Sequence, residues 1–157
     1  MKKIIAAIIG LIVIVIIGFL IFSAVRSNSS IFSFLNKSSV TINNHKFDLS
    51  VAKSDKEKQV GLSDKKSLSE NSGMIFTFDK PDYYPFWMRN MHFPIDILFI
   101  ANNKIVTIYR NVQPPKSNNE ELPIYRPSQP ADTAIELPAG TADKYNIQEG
   151  DTVKIAK

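Results

Sequence analysis

The sequence predicts a mostly β domain, either a β-sandwich or a small open barrel of largely antiparallel strands, with two short helices and one preceding transmembrane helix. Residues 40–157 contain short apolar segments separated by turn residues, a pattern typical of antiparallel β folds. Helix signals are confined to two short segments of that region. Residues 4–25 form an uncharged run rich in Ile and Leu, which is typical of a membrane-spanning helix.

The run 4–25 is long enough to cross a bilayer. As a helix it would span ~33 Å, about the thickness of the hydrocarbon core. The alternative is a cleaved signal peptide that leaves a secreted domain, but such peptides have shorter apolar cores and a small-residue cleavage site. No Ala-x-Ala follows the run. Residues 1–25 are therefore predicted to be an uncleaved signal anchor, with the lipid bilayer as the partner of residues 4–25.

The flanking charges predict the orientation of this anchor. Lys2 and Lys3 precede the run, whereas only Arg26 follows it closely. The positive-inside rule then keeps the N-terminus in the cytoplasm and places the rest of the chain outside it. The predicted location is the cell membrane, with a single pass and an extracytoplasmic domain. Residues 26–39 are rich in Ser and Asn and are predicted to be a tether to a domain at 40–157.

Turn and capping residues divide the domain into its elements. Two Asn-Asn pairs predict hairpins, because Asn tolerates positive φ. Ser54 and Glu57 have capping-box spacing, and Gly61 is placed to end the helix that they begin. Prolines make residues 113–130 a long irregular loop. In chain order, the other predicted elements are strands 40–42 and 45–52 joined at 43–44, strand 74–78, a turn at 79–82, an aromatic loop or strand at 83–91, strands 95–101 and 104–112 joined at 102–103, strand 133–137, a helix at 139–146 and strand 152–156.

Charge and cysteine content argue against several classes of function. The net charge is +4, but Lys2, Lys3, Arg26 and Lys37 account for it, and residues 40–157 have equal numbers of acidic and basic residues. A neutral domain gives no reason to expect nucleic-acid binding, which needs a basic face. The chain has no cysteine, so it has no disulfide framework, thiolate nucleophile or lipidated cysteine.

Asp96 is the one carboxylate in the predicted strand 95–101, whose two faces are otherwise apolar. Such a strand is expected to be covered on both sides. A carboxylate within it must be paired or lie at a wet end of the strand, because a lone buried charge costs several kcal/mol. The nearest candidate partners in sequence are Arg89, Asn90 and His92, and backbone N–H groups are a further possibility.

Six segments of the domain, in this order and at this spacing, resemble a widespread prokaryotic family known as domain of unknown function 192 (DUF192). They are GLS at 61–63, GMIFTF at 73–78, FWMRN at 86–90, PIDILFI at 94–100, IELPAG at 135–140 and IQEGD at 147–151. The resemblance covers residues 40–157 and implies a β-rich domain with two short helices, but no activity. Two departures are Ile95, where the family usually has Leu, and the absence from 113–130 of the cysteine pair that many members carry.

Four polar residues in these segments and the chain's only tryptophan are the candidate site residues. They are Trp87, Arg89, Asn90, Asp96 and Glu136. A cleft lined by them would bind a polar ligand, stack a planar one on the indole or use a carboxylate as acid or base. The alternative is a structural role, in which ion pairs and hydrogen bonds fix the aromatic loop to the sheet. Phe86 and Phe93 are expected to pack in the core.

The sequence predicts no metal site and no cofactor. His45 and His92 lie in separate elements, and Pro94 between His92 and Asp96 prevents those two from sharing a helical face. The motifs of nucleotide-binding loops, nucleophile elbows and zinc proteases do not occur. The leading functional hypothesis is a membrane-tethered domain that binds a small molecule, an envelope glycan or an envelope protein. The alternatives are a hydrolase-like enzyme that uses Asp96 and Glu136, and a purely structural interaction module.

Overall fold

The computed structural model describes residues 37–117 and 120–156, and within them it has one seven-stranded sheet and two short helices. The strands are β1 (Lys37–Ile42), β2 (His45–Ala52), β3 (Ser72–Asp82), β4 (Ile95–Ala101), β5 (Lys104–Val112), β6 (Ala131–Pro138) and β7 (Val153–Ile155), and the helices are α1 (Asp55–Val60) and α2 (Thr141–Lys144). The mostly β class with two short helices is therefore confirmed. β1 begins at Lys37, so the last residues of the predicted tether pair with β2.

The sheet is a single mixed sheet with the strand order β5-β4-β6-β3-β2-β1-β7. Its pairs are antiparallel except for β2 with β3, whose connection carries α1 as a parallel crossover requires. The sheet curls into a half-barrel: Lys104 of β5 bridges to Thr152, and the Val153 N–H donates to the Asn103 carbonyl at 2.8 Å. This arrangement corresponds to the predicted open barrel and not to a two-sheet sandwich.

Both predicted hairpins and the first predicted helix are present in the structure. Asn43 and Asn44 have φ of 49° and 66°, and Asn102 and Asn103 have φ of 52° and 60°, as tight hairpin turns require. The helix α1 begins with the predicted capping box. The Ser54 N–H donates to the Glu57 carboxylate at 2.8 Å, and the Glu57 N–H donates to the Ser54 hydroxyl oxygen.

The turn predicted at 79–82 is wrong, because β3 continues to Asp82. Its pairing with β6 shifts register between Thr77 and Asp82, and Pro81, which lacks an N–H, fits such an irregular stretch. The second helix is shorter than the predicted 139–146. It ends after Lys144, since the chain turns at Asn146 with φ of 50°.

The two faces of the sheet carry separate hydrophobic clusters. One cluster occupies the inside of the half-barrel and includes Leu98, Ile135 and Leu137. The other includes Ile97 and Phe99 and is covered by α1 and by the loops that follow β3 and β5. β4 alternates between the two clusters along its length, so the prediction that it is covered on both sides is confirmed. Residues on opposite faces of β4 and β6 are thus separated by the sheet.

The predicted anchor at 4–25 lies outside the described residues, as does most of the tether. Within 37–117 and 120–156, neither helix is long and apolar enough to span a membrane.

Candidate functional site

Asp96 is completely enclosed, and its carboxylate is held by backbone N–H groups. The N–H groups of Asn111 and Ala142 donate to it at 2.8 Å each, and that of Gly140 donates at 3.3 Å. Asn111 is in β5, Gly140 is the N-cap residue of α2 and Ala142 lies in the helix itself. The carboxylate therefore ties the helix and β5 to β4, and none of its hydrogen bonds comes from Arg89, Asn90 or His92.

Glu136 lies on the opposite face of the sheet from Asp96. In the antiparallel register Asp96 pairs with Leu137, and Ile97 pairs with Glu136. Because successive side chains of a strand point to opposite faces, the Glu136 side chain lies in the cluster of Ile97. The two carboxyl groups cannot flank one substrate, so the alternative of a hydrolase that uses Asp96 and Glu136 as a pair is contradicted.

The Glu136 carboxyl group is buried without a protein partner. The residue is 6% exposed, and its Oε2 accepts no hydrogen bond from any residue in the described part of the chain. Burial raises the pKa of Glu136 to about 8, because a charge is poorly solvated there. At neutral pH the group is therefore mostly a neutral acid that can donate a hydrogen bond.

Two glycines lie close to Glu136, one at its backbone and one at its carboxyl group. A Cβ at Gly73 would come within 2.2 Å of the Glu136 carbonyl oxygen, so Gly73 permits the close pairing of β3 with β6. Gly61 ends α1 with φ of +54°, and its backbone lies next to the carboxyl: a Cβ there would be 3.8 Å from Oε2. The Gly61 turn thus forms part of the wall around the Glu136 side chain.

Glu136 lines an aromatic cavity of about 250 Å³, which we call the inner cavity. Its aromatic wall comprises Phe76, Phe78, Tyr84, Phe86 and Trp87, and the other apolar side chains of the lining are Val60, Leu62, Pro85 and Met91. The other charged side chains in the lining are those of Lys58 and Arg89. An apolar cavity with a few polar groups is the usual form of a small-molecule site.

A second, wider cavity of about 700 Å³ adjoins the inner one. Trp87 and Arg89 contribute to both, and Asn90 lines only the wider one. Trp87 is 40% exposed, and it stands where the two cavities meet. Four of the five candidate site residues therefore come together around the cavities, whereas Asp96 lines neither of them.

The loop that carries Trp87 is fixed to the rest of the domain by Phe86. Phe86 exchanges two backbone hydrogen bonds of 2.9 Å with Tyr125 in the proline-rich loop. Its ring makes edge contacts with Phe76 and Phe99, at centroid distances of 5.1 and 5.3 Å. The packing of Phe86 and Phe93 against the second cluster agrees with their predicted core role.

Several lining residues were not predicted as site residues. Phe78 stacks on Tyr84 with ring centroids 3.7 Å apart, and the Lys58 ammonium lies 4.9 Å from the Phe78 ring centre. Lys58 is on α1, Phe78 on β3 and Met91 in the following loop. Their sequence positions contain no common motif, so only the fold brings them together. In the described ranges, no group of three or more His, Asp or Glu side chains is arranged to hold a metal.

Comparison with known proteins gives a family and two similar structures. The model of domain of unknown function 192 (DUF192), described as an uncharacterized ACR, matches residues 38–155. A protein of unknown function from Novosphingobium aromaticivorans shares 30% identity and a TM-score of 0.64, over 75% of this chain and 83% of that one. A putative transcription regulator from Sinorhizobium meliloti shares 25% identity and a TM-score of 0.65, over 76% and 92%. Among curated proteins, none matches.

Proposed function

The chain belongs to the uncharacterized DUF192 family, and we propose that it is a membrane-tethered extracytoplasmic domain that binds a small molecule in the inner cavity. The observation that carries this proposal is the buried Glu136 carboxyl, which has no hydrogen-bond partner in the described residues. A buried polar group without a partner costs about 1–3 kcal/mol. A ligand that accepts a hydrogen bond from this group would remove that cost.

Two other functions are less well supported. A purely structural interaction module does not require a cavity with an unpaired acid at its wall, and the inner cavity favours binding instead. The similar Sinorhizobium protein is described as a putative transcription regulator, but nucleic-acid binding needs a basic face. Residues 40–157 of this chain carry no net charge, so we propose no nucleic-acid partner.

Trp87 provides a direct test, since it is the chain's only tryptophan and lines the inner cavity. We expect 4-methylbenzamide, a neutral single-ring compound with an acceptor oxygen, to change the Trp87 fluorescence saturably in the full chain solubilised in dodecyl maltoside. A ligand of this size should bind with a Kd of roughly 0.05–1 mM. The variant Glu136→Leu, which removes the hydrogen-bond donor, should weaken binding about tenfold or more.

The matched control for this titration is Ile124→Ala, because Ile124 lines only the wider cavity. This variant should bind 4-methylbenzamide as the wild type does. A fluorescence change that never saturates would contradict the proposed site. A Kd that responds to Ile124→Ala but not to Glu136→Leu would place any binding outside the inner cavity.

The extracytoplasmic location of the domain is supported by the uncharged run 4–25 and by Lys2 and Lys3 before it. Because the chain has no cysteine, one introduced cysteine can report the side of the membrane. Gln129→Cys, at an exposed loop position, should react with a membrane-impermeant maleimide in intact cells as fully as it does after lysis. Labelling that requires lysis would show that the domain is in the cytoplasm.

A further inference from the structure

The charged side chains that line the inner cavity are mostly basic. Lys58 and Arg89 are the basic residues of its lining, and Glu136 is the acidic one. Arg89 is exposed and makes no hydrogen bond or ion pair with any residue of the described ranges. The Lys58 ammonium rests on the Phe78 ring, 4.9 Å from its centre, and has no carboxylate partner within those ranges. Two cations that form no ion pair in the described ranges therefore line a cavity whose single acid is buried.

Three other acids line cavities that adjoin the inner one. Asp55 and Asp79 share a cavity with Lys58 and Tyr84, but neither forms an ion pair with Lys58 within the described residues. Glu120 lines the wider cavity together with Arg89, but its carboxylate accepts a 2.6 Å hydrogen bond from the Lys116 backbone N–H. It forms no ion pair with Arg89, since the described residues make only the pairs of Arg110 with Asp143 and of Lys144 with Glu70. The guanidinium of Arg89 is thus available to a ligand.

The aromatic side chains that line the cavity between these polar groups favour a ligand with an apolar part. Stacked Phe78 and Tyr84, together with Phe86 and Trp87, line a cavity of about 250 Å³ that is open on one side. An apolar cavity of about 150 Å³ holds a benzene molecule. The inner cavity therefore has room for one substituted ring or a short branched chain that also carries polar groups.

From this arrangement we infer that the ligand is a small amphiphilic anion, with its apolar part among the aromatic side chains, its negative charge at Arg89 and Lys58, and an acceptor atom at Glu136. This inference rests on the proposed function and adds the ligand's chemical class. Arg and Lys are the residues that recognise carboxylate and phosphate groups. The acceptor atom would give the Glu136 carboxyl the partner that the protein does not provide.

The competing ligand is a cation held by the aromatic wall and the Glu136 carboxylate, as in aromatic cages for ammonium groups. The electrostatics disfavour it. Three titratable or charged groups line the cavity with Glu136: α1 contributes Lys58, and the loop after β3 contributes Tyr84 and Arg89. The side chains that β3 contributes to the lining are aromatic. With the Glu136 pKa raised by burial to about 8, the lining is cationic at neutral pH.

Three matched probes test the ligand class in the full chain in dodecyl maltoside at pH 6.5. They share a benzamide group and differ in charge: 4-carbamoylbenzoate, 4-methylbenzamide and 4-carbamoylbenzylammonium. Followed through Trp87 fluorescence, the anion is expected to bind at least tenfold more tightly than the neutral probe, and the cation most weakly. Arg89→Gln should reduce the advantage of the anion severalfold, whereas Arg126→Gln, which removes the same charge from an exposed position outside both cavities, should retain it.

The acceptor contact has its own test in the pH profile. The wild type should lose affinity for 4-carbamoylbenzoate as the pH rises through about 8, because an ionised Glu136 no longer donates a hydrogen bond and repels the anion. Glu136→Gln keeps a donor and has no charge, so its affinity should stay level over the same range. A level profile in the wild type would overturn the contact at Glu136.

The outcomes separate the inference from the proposed function. If the cation binds best, or if the neutral probe equals the anion, the ligand class is overturned while binding in the inner cavity stands. If none of the three probes changes Trp87 fluorescence saturably, both are overturned. An anion preference that survives Arg89→Gln would overturn the placement of the negative charge at Arg89, since the charge would then be recognised elsewhere.

Discussion

Replacement of Asp96 by Ala is expected to lower the free energy of unfolding of the domain by about 3–5 kcal/mol. The Asp96 carboxylate accepts hydrogen bonds from the backbone N–H groups of Asn111, Gly140 and Ala142. Alanine would leave all three donors unpaired at a site with no solvent exposure. It would also release the start of α2 and the end of β5 from β4.

Asp96→Asn is the milder variant, because its amide keeps one acceptor oxygen and replaces the other with a donor that faces N–H groups. It should destabilise the domain by about 1–3 kcal/mol. Asp48→Ala, at an exposed position on β2, is the control and should change stability by less than about 0.5 kcal/mol. Urea unfolding of the full chain, followed through Trp87, measures all three. A loss below about 1 kcal/mol for Asp96→Ala would refute the structural role of this carboxylate.

Glu136→Gln is expected to abolish most of the pH dependence of stability between about pH 4.5 and 8. Burial raises the pKa of Glu136 from 4.5 to about 8 in the folded protein, so in this window the folded state holds a proton that the unfolded state releases. Stability contributed by the neutral acid is therefore complete below pH 4.5 and is lost as the pH rises towards 8. The loss is on the order of 5 kcal/mol.

Gln resembles the neutral acid in shape and does not ionise. The variant should therefore match the wild type near pH 4.5, exceed its stability increasingly up to about pH 8, and keep a constant advantage above that pH. Glu121→Gln, at an exposed position, is the control and should follow the wild-type profile. Parallel profiles for wild type and Glu136→Gln across this range would mean that the Glu136 carboxyl is solvated or paired.

Much of the fold could be predicted because its signals are local. The Asn-Asn turns and the capping box of Ser54 each depend on residues within a few positions of one another, and they lie where the sequence indicated. The alternation of strand 95–101 likewise depends only on its own residues. The turn predicted at 79–82 failed because Pro81 and its polar neighbours also fit an irregular strand, and pairing with β6 decides between the two.

The candidate site was harder to predict, because its residues meet only after folding. The partners of Asp96 are backbone N–H groups at 111, 140 and 142, which no side-chain pattern marks. Nothing in the sequence indicates that Asp96 and Glu136 point to opposite faces, since that depends on the register between β4 and β6. The segments that resemble the family contain Trp87, Arg89 and Glu136, but the aromatic wall around these residues comes from separate segments of the chain.

Occupation of the inner cavity can be measured most directly through the methionine methyl groups. Met91 lines the inner cavity, whereas the buried Met88 and Met74 are not part of its lining. In the full chain labelled with methyl-¹³C methionine, addition of 4-carbamoylbenzoate should shift the Met91 methyl signal saturably and by more than those of Met88 and Met74. An unchanged Met91 signal at saturating probe, or equal shifts of all three, would contradict the claim that the cavity beside Glu136 is a binding site.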